Sequence, residues 1–252
     1  MLLFLLACAP EEHTDSTLSH DIDGGRFVAL LPASFPAPVL VFAHGWRSNP
    51  EKILRDSPEG LATFTDAGVM VLLPAATGDG EWNIGHSPNA RDDQAFISDV
   101  LDEADARWGI DPARVWGTGF SVGGSIAHDM GCDNDRFTAI SPMSGAFWEP
   151  LPADCGGAAL PVRHVHGTGD RTWPLEGQVF SPNAAQGDIY EATALWRAQN
   201  GCTEATEEYT DGPLSCTRWE CDAAPVELCL HDSGHHRRSG WADRMLGWLS
   251  AP

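Results

Sequence analysis

The residues best suited to do chemistry in this chain lie in three short stretches. Gly119-Phe120-Ser121-Val122-Gly123 has the spacing G-x-S-x-G. An apolar run, Val115–Gly119, leads into it, and a stretch of small residues that suits a helix, Gly123–Ala127, leaves it. A serine at such a strand-to-helix turn points its hydroxyl into the crevice beyond the strand. The helix behind it offers free backbone N–H groups to a developing oxyanion. Ser121 is therefore the candidate nucleophile and the N–H of Val122 a candidate oxyanion donor. A second donor is expected from the loop after an earlier strand. Val39–Ala43 leads into His44-Gly45-Trp46, so the N–H of Trp46 takes that role, with His44 read as a structural histidine at the strand end.

A serine needs a base, and the base needs an orienting carboxylate. Val162–His166 ends in Gly167-Thr168-Gly169-Asp170, which sets Asp170 on a loop just past a strand. Val226–Leu230 leads to His231-Asp232-Ser233-Gly234-His235-His236, which sets His235 in a turn past another. The order Ser121, Asp170, His235 is the chain order this type of site uses. His236 is the fallback base, and His231 still belongs to the strand. A metal centre is not expected. His164 and His166 share a face by strand alternation alone, and no H-E-x-x-H motif is present. No cofactor is expected either.

The elements that must hold these residues alternate along the chain. Besides the runs above, Arg26–Leu31, Val69–Leu73 and Ala139–Met143 read as strands. Asp92–Trp108 carries Phe96, Val100, Leu101, Ala104 and Trp108 on roughly one helical face, with Asp92 as N-cap. Val122–Met130, Ile189–Gln199 and Trp241–Leu249 complete the helices. Such alternation implies an α/β fold, a mostly parallel central sheet with helices on both faces. Cys202–Cys221 is polar and reads as irregular, ordered by disulfides.

Acidic residues number 36 against 15 basic, a formal charge of -21. That excludes a nucleic-acid partner, which needs clustered Lys and Arg, and disfavours docking on an anionic membrane. Arg237 and Arg238, beside His235, are read as a local exception that makes the cleft less negative. The first eight residues, MLLFLLAC, are too short to span a bilayer, which takes about 20 apolar residues. They read as the remnant of a signal peptide whose Leu5-Leu6-Ala7-Cys8 is a lipidation box, with a lipid anchor on Cys8. Residues 9–24 then read as a polar tether, and 25–252 as a single catalytic domain. Apart from Cys8, six cysteines remain: Cys132, Cys155, Cys202, Cys216, Cys221 and Cys229. An even number in an exported chain points to three disulfides rather than to zinc, for which no C-x-x-C pair is present. Sequence order suggests Cys132 with Cys155 and the last four among themselves.

Several stretches in one order carry a family resemblance. They are His44-Gly45, Trp82-Asn83, Asp92-Asp93 with Phe96, Asp111-Pro112 with Arg114-Val115, Gly119–Gly124, His166-Gly167-Thr168 with Asp170, and Gly234-His235. Over about residues 25–250 the chain resembles exported α/β-hydrolases of the polyhydroxybutyrate depolymerase-like or feruloyl esterase-like group, the carbohydrate esterase family 1 type. The resemblance implies the α/β-hydrolase fold, a Ser–His–Asp triad, and hydrolysis of feruloyl or acetyl esters or of hydroxyalkanoate polyesters. It also implies a cell-surface, periplasmic or secreted enzyme. Two departures bear on the substrate. Phe120 and Val122 flank the serine where close relatives carry other residues, and His236-Arg237-Arg238 stands where many have Trp-Pro. Trp46, Trp82, Trp148 and Trp173 are candidate substrate contacts, and the enzyme is read as a monomer. A serine peptidase on the same fold, or a non-catalytic binding lipoprotein, are the competing readings.

Overall fold

The computed structural model describes residues 17–84 and 91–251. Cys8 and the lipidation box lie outside the described residues. Among the described residues no helix is long and apolar enough to cross a membrane.

The apolar runs form the centre of a ten-stranded sheet. Its strands are β1 (Thr17–Ile22), β2 (Gly25–Leu30), β3 (Ala37–Ala43), β4 (Met70–Pro74), β5 (Ile110–Phe120), β6 (Ala139–Met143), β7 (Val162–Gly167), β10 (Cys202–Asp211), β11 (Leu214–Cys221) and β12 (Val226–His231). The order is β1-β2-β4-β3-β5-β6-β7-β12-β11-β10. The stretch from β4 to β12 is parallel, and antiparallel strands close both edges. A separate small hairpin joins β8 (Gln178–Ser181) to β9 (Ala184–Gln186).

β3 and β4 are apolar at every position because both faces of the sheet are covered there. Val39, Val41 and Ala43 of β3 pack with α3 (Asp93–Trp108), α4 (Val122–Asp133) and α5 (Ile189–Gln199). Leu40 and Phe42 of the same strand face α1 (Pro50–Asp56), α2 (Pro58–Asp66) and α6 (Trp241–Leu249). The helix α3 starts where expected: Asp92 accepts from the N–H of Ala95 at 3.0 Å, capping the first turn.

Two sequence expectations need correction. Residues 17–22, read as the end of a tether, are strand β1, hydrogen-bonded along its whole length to β2. Cys202–Cys221 is not irregular. It is the hairpin β10–β11, turned at Gly212 in the left-handed region (φ 58°). Its outer strand is an exposed sheet edge carrying Glu204, Glu207 and Glu208, so no apolar alternation marks it.

The cysteines follow from this pairing. Cys202 lies directly opposite Cys221, and Cys216 opposite Cys229. Each pair forms a disulfide between neighbouring antiparallel strands. Cys132, at the end of α4, bonds Cys155 in the loop after β6. Three disulfides fit an oxidising compartment.

The Cys202–Cys221 bridge closes a loop of 19 residues at the sheet edge. A loop of that size is worth about 3 kcal/mol. Replacing both cysteines by serine is expected to speed amide exchange in β10 by about 10²-fold, while β3 and β5 keep their protection. Hydrogen exchange read by mass spectrometry checks this. Equal loss across the sheet would contradict it.

Candidate active site

β5 ends at Phe120 and α4 begins at Val122, leaving Ser121 alone at the turn with φ 62° and ψ -127°. That left-handed conformation is costly for a serine and is held by its surroundings. The Ser121 N–H donates to the Met143 carbonyl of β6 at 3.0 Å, and its carbonyl accepts from Gly124 N–H at 2.7 Å. The flanking glycines are required by contact. A Cβ on Gly119 would lie 2.0 Å from the Gly123 carbonyl oxygen, and one on Gly123 would lie 2.0 Å from that of Ala43. The helix therefore starts almost in contact with β3, and the loop after β3 lies against the serine.

In that loop, Arg47 N–H donates to the Gly80 carbonyl at 3.0 Å and Ser48 N–H to that of Gly45 at 3.2 Å. The N–H groups of Trp46 and Val122 carry no hydrogen bond among the described residues. His44 is structural, as its sequence position suggests. Its Nε2 accepts from Ala76 N–H at 3.0 Å, so Nδ1 carries the proton and donates to Gly45 O at 2.8 Å. Burial lowers its pKa to about 4.

Asp170 sits past the end of β7 with its side chain fully buried. Oδ1 accepts from the N–H groups of Thr172 and Trp173 at 2.9 and 2.8 Å. Oδ2 accepts from His235 Nδ1–H at 2.6 Å. The loops after β7 and β12 are laced together: Thr168 N–H reaches His231 O at 2.8 Å and Gly169 N–H reaches Ser233 O at 3.0 Å. With Nδ1 bonded to Asp170, Nε2 is the outward ring nitrogen of His235, and the ring lies against that of Phe120 (centroids 4.8 Å), the residue before Ser121. His236 does not compete for Asp170: its Nε2 meets Ser233 Oγ at 2.8 Å and the residue is exposed.

A cleft of about 620 Å³ opens over Ser121 and Val122. Trp46, Trp82, Ile84, Trp148 and Phe180 give it mostly apolar walls, with Gln178 and Gln186 among the polar ones. Trp173, expected as a substrate contact, is not among them. It is fully buried: its N–H holds Asp170, and its ring packs edge-on under Trp148 (centroids 5.5 Å). Arg237 also departs from expectation. It is tucked beneath the nucleophile turn, 5.7 Å from the Phe120 ring centroid, and donates to Ser57 Oγ at 2.7 Å, so its charge does not face the cleft.

Sequence reading passed over the roof of the cleft. Phe180, on the β8–β9 hairpin, is 56% exposed, and the hairpin is stitched to the segment after β6 through the Trp148–Gln186 bridge and the Glu149 N–H bond to Ala185 O at 3.0 Å. The exposed pair Val179-Phe180 in a polar stretch is the signal that marks it.

The sheet order, the turn at Ser121 and the loops that carry Asp170 and His235 on neighbouring strands identify the architecture. This is the α/β-hydrolase fold. No protein-family model matches the chain. The chain is 27% identical over 230 residues to feruloyl esterase C of Emericella nidulans, covering 86% of this chain and 78% of that one. It is 26% identical over 245 residues to feruloyl esterase B of Piromyces equi, covering 88% of this chain but 44% of that relative. The chain thus spans less than half of that longer relative. Among solved structures it superposes on an acetyl xylan esterase from Aspergillus awamori with a TM-score of 0.66 at 16% identity (89% of this chain, 93% of that one). It superposes on a Bacillus cereus carboxylesterase with 0.59 at 17% (88% and 92%). All four of these proteins are named as esterases.

Buried ionisable groups give the fold a signed pH dependence. Burial lowers His44 to about 4 and His128 to about 3, and lowers His164 and His166 as well. Unfolded, each titrates near 6.5, so between about pH 4 and 6.5 the unfolded chain binds more protons. Stability then falls with acid by about 1.4 kcal/mol per pH unit per histidine. Asp129 opposes them: desolvation, with Asp133 and Asp93 nearby, raises it to about 7, so its contribution is lost as pH rises. Desolvation raises Asp133 as well, and these two carboxylates against the four histidines leave a net loss towards acid. Urea unfolding at pH 4.5, 5.5 and 6.5 is expected to show that loss, and Asp129→Asn is expected to steepen it. A flat profile would contradict the assignment.

Proposed function

We propose that the chain is a serine carboxylic-ester hydrolase acting through Ser121, His235 and Asp170. The observation that carries this is the short bond from His235 Nδ1–H to a fully buried Asp170, which leaves the other ring nitrogen free beside the strained serine turn. In the first half-reaction His235 Nε2 takes the Ser121 hydroxyl proton as Oγ attacks the ester carbonyl. The N–H groups of Val122 and Trp46 receive the oxyanion. The tetrahedral intermediate collapses, His235 gives its proton to the leaving alcohol, and an acyl-serine remains. Water repeats the sequence, releasing the acid and the free serine. Asp170 holds the Nδ1–H tautomer and balances the imidazolium that forms at each step. No cofactor enters.

We infer that the acyl group is a planar aromatic acid of the feruloyl type. Walls of Trp46, Trp148 and Phe180, with the buried Trp82 behind them, suit a flat ring, and a cleft of about 620 Å³ is far larger than an acetyl group needs. The feruloyl esterase relatives support the same substrate class. Acetyl esters are the second reading, favoured by the likeness to acetyl xylan esterase. Hydroxyalkanoate polyesters have no comparable support.

Ser121→Ala is expected to lower kcat on methyl ferulate by about 10⁶-fold, and Asp170→Asn by about 10⁴-fold, with both proteins folded. Turnover near wild type in the serine variant would overturn the assignment. Trp148→Ala is expected to raise KM for methyl ferulate about 10-fold, from the lost aromatic contact, with KM for p-nitrophenyl acetate unchanged. Better kcat/KM on acetylated xylan than on methyl ferulate would favour the second reading.

A further inference from the structure

Behind Asp170 lies a line of imidazoles that the reaction above does not use. Trp196 Nε1–H of α5 donates to His128 Nδ1 of α4 at 2.9 Å. His128 Nε2 lies 3.2 Å from His164 Nδ1, and His164 Nε2 lies 3.0 Å from His166 Nδ1, both on β7. His166 Nε2 lies 2.8 Å from the Trp173 carbonyl and 3.5 Å from Asp170 Oδ2. The imidazoles are stacked, with neighbouring planes 21° and 17° apart, and each of the three residues is at most 2% exposed.

The two ends decide every proton in the line. An indole N–H only donates, and a carbonyl only accepts. His128 Nδ1 must therefore be bare, and burial keeps the ring neutral, so its proton sits on Nε2 and points at His164 Nδ1. The same step repeats through His164 to His166, whose Nε2–H ends on Trp173 O. A flipped tautomer anywhere would set two N–H groups, or two lone pairs, face to face in a buried site, where an unmade hydrogen bond is expensive. The line cannot relay protons, because its inner end is an indole. What it does is hold one N–H in place.

That N–H serves Asp170 twice. It braces the carbonyl of Trp173, whose own N–H holds Oδ1, and its positive end faces Oδ2, the oxygen that accepts from His235. We propose that His166 is a positioning residue for the Asp170–His235 pair, with its Nε2–H tautomer locked from α5 and α4 through His128 and His164. The proposal rests on the triad reading above. The ionisable groups facing His166 are His164 on its own strand, Asp170 on the following loop, and His231 and His235 from β12 and the loop after it.

His166→Phe keeps a planar ring and removes the N–H. His166→Gln carries an amide N–H at the same reach. In the phenylalanine variant kcat on methyl ferulate is expected to fall about 10-fold with KM unchanged, as for loss of a donor facing a charge. With one donor fewer the carboxylate holds the imidazolium more strongly, so the acidic limb of the kcat/KM profile moves to higher pH. The glutamine variant is expected to restore both. A folded His166→Phe protein with wild-type kcat and an unmoved limb would overturn the proposal. An arm independent of turnover is nitrogen-15 NMR of the wild-type imidazoles. All three histidines are expected as neutral Nε2–H tautomers at pH 7, with burial holding each below the usual imidazole range. An Nδ1–H signal from any of them would also overturn it. If the wild type hydrolyses no ester yet the tautomers stand, the function reading fails and the locked line remains.

Discussion

A carboxylate with no exposed surface is the constraint around which this site is built. An ionised oxygen pair in the interior is tolerated only if donors surround it. Asp170 receives two backbone N–H groups on Oδ1, the His235 N–H on Oδ2, and His166 at the edge. The donors come from three local structures, so satisfying the charge fixes the Asp170–Trp173 turn, the loop after β12 and the end of β7 relative to one another. Trp173 shows how far the effect reaches. Its backbone holds the acid while its ring supports Trp148, so the acid and the cleft wall share one residue.

The serine turn is set by a different force, the packing of backbone on backbone. β3, β5 and α4 approach so closely that two side-chain hydrogens' worth of space is all that Gly119 and Gly123 leave. This closeness holds Ser121 at a positive φ, and Trp46, Ser121 and Val122 line one cleft. Sheet order does the rest. β3, β5, β6, β7 and β12 are consecutive neighbours, so residues from loops far apart in the chain meet at one edge, outside the carboxyl ends of parallel strands.

Much of this was legible beforehand. Strands such as Val39–Ala43 and Val69–Leu73 are apolar throughout because both faces are buried, and such runs identify themselves. Ser121, Asp170 and His235 each follow a strand, which is why chain order and turn chemistry single them out as candidates. The β10–β11 hairpin was not legible for the opposite reason. A solvated edge strand has no buried face to impose an alternation, and its register comes from a glycine turn and two cross-strand disulfides. Trp173 was misread because an aromatic next to an active-site loop looks the same in sequence whether its ring faces substrate or core.

By itself, the sequence determined the parallel sheet, the strand-to-helix turn at Ser121, the loops that carry Asp170 and His235, and an even set of cysteines besides Cys8. These are local matters, decided by period, turn residues and motif spacing. Sequence order already paired Cys132 with Cys155; only the tertiary structure decided how the last four cysteines pair, which tryptophans line the cleft, and where the protons of His128, His164 and His166 sit. Those depend on which residues folding sets opposite one another, such as Cys216 with Cys229, or Trp196 with His128, 68 residues apart. A tautomer is set by the donor or acceptor that folding brings to the other nitrogen, and nothing in the local chain carries that information.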